Sequence, residues 1–376
     1  MSHDSLLATH WLDNKTTACT SPKRCVQVVQ HLRPGGIEAL ALDIAGGTDS
    51  LSQQLIMSLE GDAASSMKVW PRLSTLAGQL HFFAKRPGIQ LGLLLKLVAF
   101  FRRHRVEVVH THHIGPLLYA GIAARLAGVR HLIHTEHDAW HLENRQRRRL
   151  QKLLLRILRP TLVADAEKVA ENMARHLGQQ SIHVIRNGID TLRFQPGSQA
   201  KARQMLGLPA KVTLIGCSGR LEIVKGQKYL LEALALIDSP IHVALAGTGS
   251  EEQALKRLAD QLGITARVHF LGHVDDMPCF YQALDLFCLP SLNEGFPLSS
   301  LEAQACSIPT VVTDVGGSQE TLCPETGRLV EPANPEAMAT LLIALCNTPP
   351  AADPRRFVVE TADLNITRQA YRSLSS

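Results

Sequence analysis

Residues 212–272 read VTLIGCSGRLEIVKGQKYLLEALALIDSPIHVALAGTGSEEQALKRLADQLGITARVHFLG, and this stretch decides the fold class. Three short apolar runs, at 212–217, 242–246 and 267–271, are separated by helix-period segments at 226–237 and 251–262. Runs this short and this apolar suit strands buried on both faces. Strands alternating with helices build parallel βαβ crossovers. Downstream the pattern continues with runs at 284–289 and 310–313 and helical segments at 278–284 and 298–305. Upstream it recurs as runs at 25–30, 51–58, 106–110, 131–134, 161–164 and 181–185, with amphipathic stretches at 90–104, 116–127 and 146–158. The expected fold class is α/β, with two Rossmann-like doubly wound domains. Ligands of such sheets bind beyond the carboxyl ends of the strands, so the cleft between the domains is the expected site.

The two sets of strands are separated by RNGIDTLRFQPG (186–197), rich in turn residues, which reads as the interdomain linker. The break PPAADP begins at Pro349 and precedes a last helical segment at 355–374. The expected division is residues 1–190, residues 191–350, and a C-terminal helix in 351–376 packing back toward the first domain.

Composition agrees. The chain of 376 residues is 45% hydrophobic but only 5% aromatic, which favours Leu/Ala/Val helices on a parallel sheet over a β-sandwich. A net charge of +5 favours acidic partners such as phosphorylated substrates or anionic membrane surfaces. The eight cysteines form no C-x-x-C pair, and a reducing, cytoplasmic setting is the natural reading. The N-terminus MSHDSLLATHWLDNK has no basic region followed by an apolar stretch, so no secretory signal is visible. The most apolar segment, 91–101, is broken by Lys96 and falls short of the roughly 20 residues a spanning helix needs.

The strongest chemical constellation is EGFPLSSLE, Glu294 to Glu302, after the run ending near Pro290. Two carboxylates bracket a Gly/Pro turn and a helix start, where exposed N–H groups suit an anionic ligand. Glu302 is placed to accept hydrogen bonds from a ribose diol and Glu294 to hold a sugar hydroxyl. The blander alternative is a capped helix with solvated acids.

This string, with its E-x7-E spacing, resembles the retaining GT-B glycosyltransferases of the "glycosyl transferases group 1" family. Four other segments resemble it in the expected order: Pro34-Gly35-Gly36-Ile37-Glu38, Arg186-Asn187-Gly188-Ile189-Asp190, Gly219 to Gly226 with Arg220 and Lys225, and Ala246-Gly247-Thr248-Gly249. The likeness covers roughly residues 24–345. Ser307, in Ala305-Cys306-Ser307-Ile308-Pro309, stands where relatives carry glycine.

The resemblance implies a GT-B architecture and transfer of a hexose-type sugar from a nucleoside-diphosphate donor to a glycan or lipid-linked acceptor. It also implies retention through front-face attack, commonly in polysaccharide, lipopolysaccharide or glycolipid assembly. Donor binding falls to Gly35, Gly36, Arg220, Lys225, Gly247, Gly249, Glu294, Gly295, Phe296, Pro297, Leu298 and Glu302, with Glu294 and His137 as catalytic residues. His134 is the alternative to His137 within His134-Thr-Glu136-His137-Asp138. Strand alternation puts His134, Glu136 and Asp138 on one face and Thr135 and His137 on the other.

Arg220 and Lys225 answer the negative charge that develops on a departing diphosphate. Acids with metal-ligand spacing are missing nearby, so no metal or other cofactor is expected. His110 and His112 share a strand face but lack a third ligand at metal spacing. In Arg145–Arg159, Leu150, Leu153, Leu154, Ile157 and Leu158 fall on one helical face and Arg145, Arg149, Lys152, Arg156 and Arg159 on another. Such a helix either packs on the sheet or rests its basic face on anionic lipid. The second option puts the protein peripherally on the inner face of the cytoplasmic membrane. Nucleic acid is not an expected partner. Other classes to weigh are a GT-B nucleotide-sugar epimerase and a non-enzymatic glycan-binding scaffold. A nicotinamide-dependent dehydrogenase is opposed by the absence of G-x-G-x-x-G.

Overall fold

The computed structural model describes residues 23–46, 52–138, 140–178 and 181–375. The first sheet contains β1 (Lys23–Val29), β2 (Ser52–Ser58), β3 (Leu80–Phe82), β4 (Val108–His112), β5 (His131–Glu136), β6 (Thr161–Ala164) and β7 (His183–Val184). Its order is β3-β2-β1-β4-β5-β6-β7, and every pairing is parallel. The second sheet contains β8 (Thr213–Ser218), β9 (Ile241–Ala246), β10 (Val268–Gly272), β11 (Leu286–Leu289), β12 (Thr310–Thr313) and β13 (Arg328–Val330), in the order β10-β9-β8-β11-β12-β13. Its pairings are parallel too. This is the two-domain α/β fold expected from the alternation of strands and helices.

Both sheets reverse their strand order once, between β1 and β4 and between β8 and β11. At such a switch point the loops leaving neighbouring strands diverge to opposite faces and open a crevice at the carboxyl ends. Gly35 and Gly36 follow β1, His113 follows β4, Arg220 follows β8, and Glu294 follows β11. Topology therefore brings the first pair to the crevice of one sheet and the second pair to the crevice of the other.

Several boundaries differ from the sequence expectation, for identifiable reasons. β4 and β5 each run two residues beyond the expected ends, into His-Thr-His and Thr-Glu. Their polar side chains are fully buried, which is tolerated because His110 bonds Thr135 at 2.8 Å and His134 bonds Glu136 at 2.9 Å. β3 and β13 were not foreseen; each is a three-residue edge strand without an apolar run of its own. The segment 355–374 is two helices, Pro354–Thr361 and Leu364–Ser373, not one. The break lets Ile189 pair with the chain there, its N–H donating to the Ala362 carbonyl and its carbonyl accepting from Leu364 N–H, both at 2.9 Å. Helix Leu364–Ser373 also reaches the first sheet, where the Tyr371 and Thr135 hydroxyls are 3.0 Å apart.

Helix Arg145–Leu158 corrects the expected apolar face. Leu154, Leu155 and Leu158 are buried with Gln151, whereas Leu150, Leu153 and Ile157 are exposed. The apolar stripe is wider than the sheet surface beneath it. Ser307 has φ +65°, so the position where relatives carry glycine is left-handed, and serine sits there at a local cost of about 1–2 kcal/mol. The cysteines among the described residues are free thiols. No described helix is long and apolar enough to cross a membrane.

Candidate functional site

In the second lobe, the loops after β8, β9, β11 and β12 are packed backbone against backbone. Leu221 N–H donates to Thr248 O at 3.0 Å, Leu292 N–H to Val224 O at 2.8 Å, and Gly317 N–H to Gly295 O at 2.8 Å. Such approaches leave no room for a Cβ. At Gly247, with φ +148°, a Cβ would lie 2.0 Å from the Gly219 carbonyl oxygen, so only glycine fits. Gly249 is pressed equally close to the Leu221 carbonyl.

On this platform the Lys225 ammonium donates to Glu294 Oε1 at 2.7 Å, and the Ser291 hydroxyl donates to the same oxygen at 2.6 Å. The loop cation and the first acid of the E-x7-E string are thus one ion pair. Arg220 is exposed on the same loop; its backbone carbonyl accepts from Gln227 Nε2 at 3.0 Å. Phe296 and Pro297 are buried, and Pro297 begins helix Leu298–Ala305 with no side chain capping its first turn. Glu302 lies deeper. The Tyr281 hydroxyl donates to its Oε2 at 2.7 Å and stands 3.0 Å from the Ser218 hydroxyl at the end of β8. Burial raises the Glu302 pKa against the opposing Tyr281 hydrogen bond and the Arg193 charge. Glu302 therefore joins the β8 end through Tyr281, not through the Lys225–Glu294 pair.

The first lobe meets this platform directly. Gly295 lies so close to the His137 backbone that a Cβ there would be 1.6 Å from the His137 carbonyl oxygen. Gly36 faces Leu298, whose Cδ1 would be 3.9 Å from a Cβ on that glycine. Glu320 adds a polar clasp: its carboxylate accepts from the Glu167 and Lys168 N–H groups at 3.0 and 3.1 Å, and Arg186 pairs with it at 3.3 Å. A second-lobe acid thus caps a first-lobe helix.

His137 stands at the seam, but its ring is fixed. Nδ1 bonds Asp165 Oδ2 at 3.0 Å and Nε2 bonds His112 Nδ1 at 2.9 Å. The relay extends through His112 Nε2 to Gln27 at 3.0 Å and through Asp165 to Asn187 at 2.9 Å. Burial, with the neighbouring His110 and His137, pushes His112 well below the ordinary imidazole range, so it is neutral. Both His137 nitrogens are engaged, so the ring has no free nitrogen. A sugar contact through a ring nitrogen, as expected of this side chain, would require one of these bonds to break. His134 is fully enclosed behind it. Asp165 and Tyr281 were missed by the sequence reading. Asp165 carried a usable signal, an acid placed directly after a strand; Tyr281 carried none.

Glu136, expected on the opposite face from His137, is fully buried among His113, His134, His141 and Gln151. It accepts from His134 and Gln151 and lies 3.6 Å from His113 and 3.8 Å from His141. Burial works to raise its pKa, but the nearby His113 and the His134 hydrogen bond overcome that and hold it well below the ordinary carboxylate range. His141 presents Nδ1 to Asp138 at 3.1 Å and Nε2 to the Gln151 carbonyl oxygen at 2.9 Å. Both partners are acceptors, so the ring is an imidazolium. Burial opposes that charge, but the Asp138 hydrogen bond and the Glu136 charge push His141 to about 9. A histidine raised on folding lends stability below its unfolded pKa near 6.5 and loses it as pH climbs through the folded value. The thermal midpoint is therefore expected to fall between pH 6.5 and about 9, and His141→Gln to flatten that slope. An unchanged slope in the variant would remove this account.

The family model described as "Glycosyl transferases group 1" matches residues 198–361, and "Glycosyltransferase Family 4" matches residues 34–193. The chain belongs to the group 1 glycosyltransferases. Within the family, it is 32% identical over 278 residues to a D-inositol 3-phosphate glycosyltransferase of Corynebacterium urealyticum, covering 65% of each chain. It is 36% identical over 203 residues to a protein of the same name from Rhodococcus jostii, covering 50% of this chain and 45% of that one. The chain thus spans less than two-thirds of the length of either relative. Anabaena HepE, solved in complex with UDP and glucose, superposes with a TM-score of 0.82 at 25% identity, over 94% of this chain and 99% of that one. A Rickettsia africae glycosyltransferase at 21% identity and TM-score 0.79 shares the fold.

Proposed function

We propose that this chain is a retaining hexosyltransferase, moving a sugar from a nucleoside diphosphate to an acceptor hydroxyl. The acceptor is a glycan or a lipid-linked sugar of the cell envelope, and the setting is the cytoplasmic side of the membrane. One observation carries the reading: the Lys225–Glu294 pair sits on a glycine-packed platform whose Gly295 abuts the His137 strand end of the other lobe. The family membership and the UDP and glucose bound by Anabaena HepE support it.

The diphosphate lies along the loops of Gly247 and Gly249, with Arg220 and Lys225 as its counter-charges and Gly35 and Gly36 closing from the first lobe. Phe296, Pro297 and Leu298 bring backbone N–H groups to the diphosphate, where a helix N-terminus favours negative charge. Glu302 takes the ribose hydroxyls. Glu294, released from Lys225 when phosphate competes for the ammonium, takes a sugar hydroxyl. The bond from C1 to the phosphate oxygen breaks with its electron pair on the diphosphate. The acceptor oxygen bonds C1 on the same face, and its proton passes to the departing phosphate oxygen. Two fixed cations replace the divalent metal that other sites use to stabilise this charge.

A thermal-shift panel of UDP-, GDP-, ADP- and CMP-sugars tests the reading. One donor at about 100-fold over its Kd stabilises by roughly 2.7 kcal/mol, a shift of a few degrees. Glu302→Ala should abolish that shift yet leave the unliganded fold intact, because Tyr281 keeps its Ser218 partner. A panel without any shift, or a variant that binds as the parent does, refutes the assignment.

A further inference from the structure

We propose that the outer surface of three first-lobe helices docks on an anionic lipid bilayer. They are Leu91–Arg103, the helical segment 114–127, and Arg145–Leu158. The three are neighbours. Arg102 donates to the Leu126 carbonyl at 2.8 Å, and Arg125 to the carbonyls of Leu158 and Arg159 at 2.8 and 3.0 Å. Across them Leu91, Leu95, Leu126, Leu150, Leu153 and Ile157 are 39–77% exposed. Each is a large apolar side chain left in water by its own helix, and so many on one layer exceed the scattered exposure of an ordinary surface.

The charge the three segments themselves carry has one sign. Residues 90–105, 114–130 and 144–160 contain no Asp or Glu, yet hold 13 of the chain's 39 Lys and Arg. Sugar transfer needs neither feature, since the transfer site lies at the strand ends. Protruding aliphatic side chains spaced among long cationic ones match the interfacial zone of a bilayer. There the aliphatic tips enter the acyl boundary and the cations meet phosphate headgroups. Beside the last turn of helix Arg145–Leu158 a cavity of about 500 Å³ opens, lined by Arg156, Arg159, Pro160 and His183. It gives a headgroup phosphate a cationic recess at the edge of the same surface. An acidic protein would satisfy the cations but leave the aliphatic tips without a reason. Lipid satisfies both.

Vesicle flotation of the whole protein tests this without any sugar-transfer readout, so it stands or falls apart from the proposed reaction. The expected result is binding to phosphatidylcholine vesicles doped with phosphatidylglycerol and little binding to phosphatidylcholine alone. Arg149→Glu with Arg156→Glu should weaken it about 30-fold or more. Leu153→Ser with Ile157→Ser should weaken it about tenfold, with more of the loss persisting at high salt. All four positions are exposed, and unchanged circular dichroism and thermal midpoint will verify folding. Failure to bind the doped vesicles overturns the proposal. Binding that ignores the serine pair overturns it too, and reassigns the face to an acidic macromolecule held by charge.

Discussion

Lys225→Ala is expected to lower kcat/KM for sugar transfer by about two to three orders of magnitude, with the fold retained. The ammonium is 2.7 Å from Glu294 on a loop held by backbone hydrogen bonds, so its charge is already oriented before a donor arrives. A preorganised cation of this kind stabilises the charge growing on a leaving phosphate without reorganisation. Its loss falls on kcat as well as on KM. The structural cost is modest, roughly 1–2 kcal/mol, because Ser291 still donates to the Glu294 carboxylate at 2.6 Å. Lys225→Arg should recover part of the rate, since a guanidinium keeps the charge but not its compact position. The readout is kcat/KM beside the thermal midpoint. A Lys225→Ala enzyme within fivefold of the parent would remove Lys225 from the chemistry.

Gly295→Ala should be as damaging for a different reason. The new Cβ would stand 1.6 Å from the His137 carbonyl oxygen, and both sides of that contact are backbone. No side chain can swing away, so the lobes must part at the seam by an ångström or more. A misplacement of about 1 Å costs on the order of a hundredfold in rate, and forced overpacking costs about 1–3 kcal/mol in stability. The Glu320 clasp, whose bonds are 3.0 and 3.1 Å long, would stretch with it. Small-angle scattering should show a slightly larger radius of gyration, and kcat should fall at saturating donor. An unchanged radius with normal kcat would mean that the seam is irrelevant to turnover.

These two effects differ in how far they could be foreseen. The Lys225–Glu294 pair was foreshadowed, because the basic loop and the E-x7-E string each carry a local signature. That Gly295 presses on His137 leaves no mark in either segment. The same division runs through the first lobe. Alternation along β5 correctly separated His134 and Glu136 from Thr135 and His137, since successive strand residues point to opposite faces. It could not say that His137 would find Asp165 and His112 at once, which ties up the ring expected to touch the sugar. It also could not say that helix Arg145–Leu158 would leave Leu150, Leu153 and Ile157 in water.

By itself, then, the sequence determined what is periodic or local: the α/β alternation, the glycine turns after strands, the acids bracketing one helix start, and an acid-free basic helix. Tertiary structure decided which of those pieces touch. It coupled Lys225 to Glu294, linked Glu302 through Tyr281 to Ser218, and closed Gly295 onto His137. The physical reason is range. Strand and helix patterns are set by neighbours a few residues apart, whereas a contact between residues 137 and 295 depends on how two sheets, each folded on its own core, settle against one another.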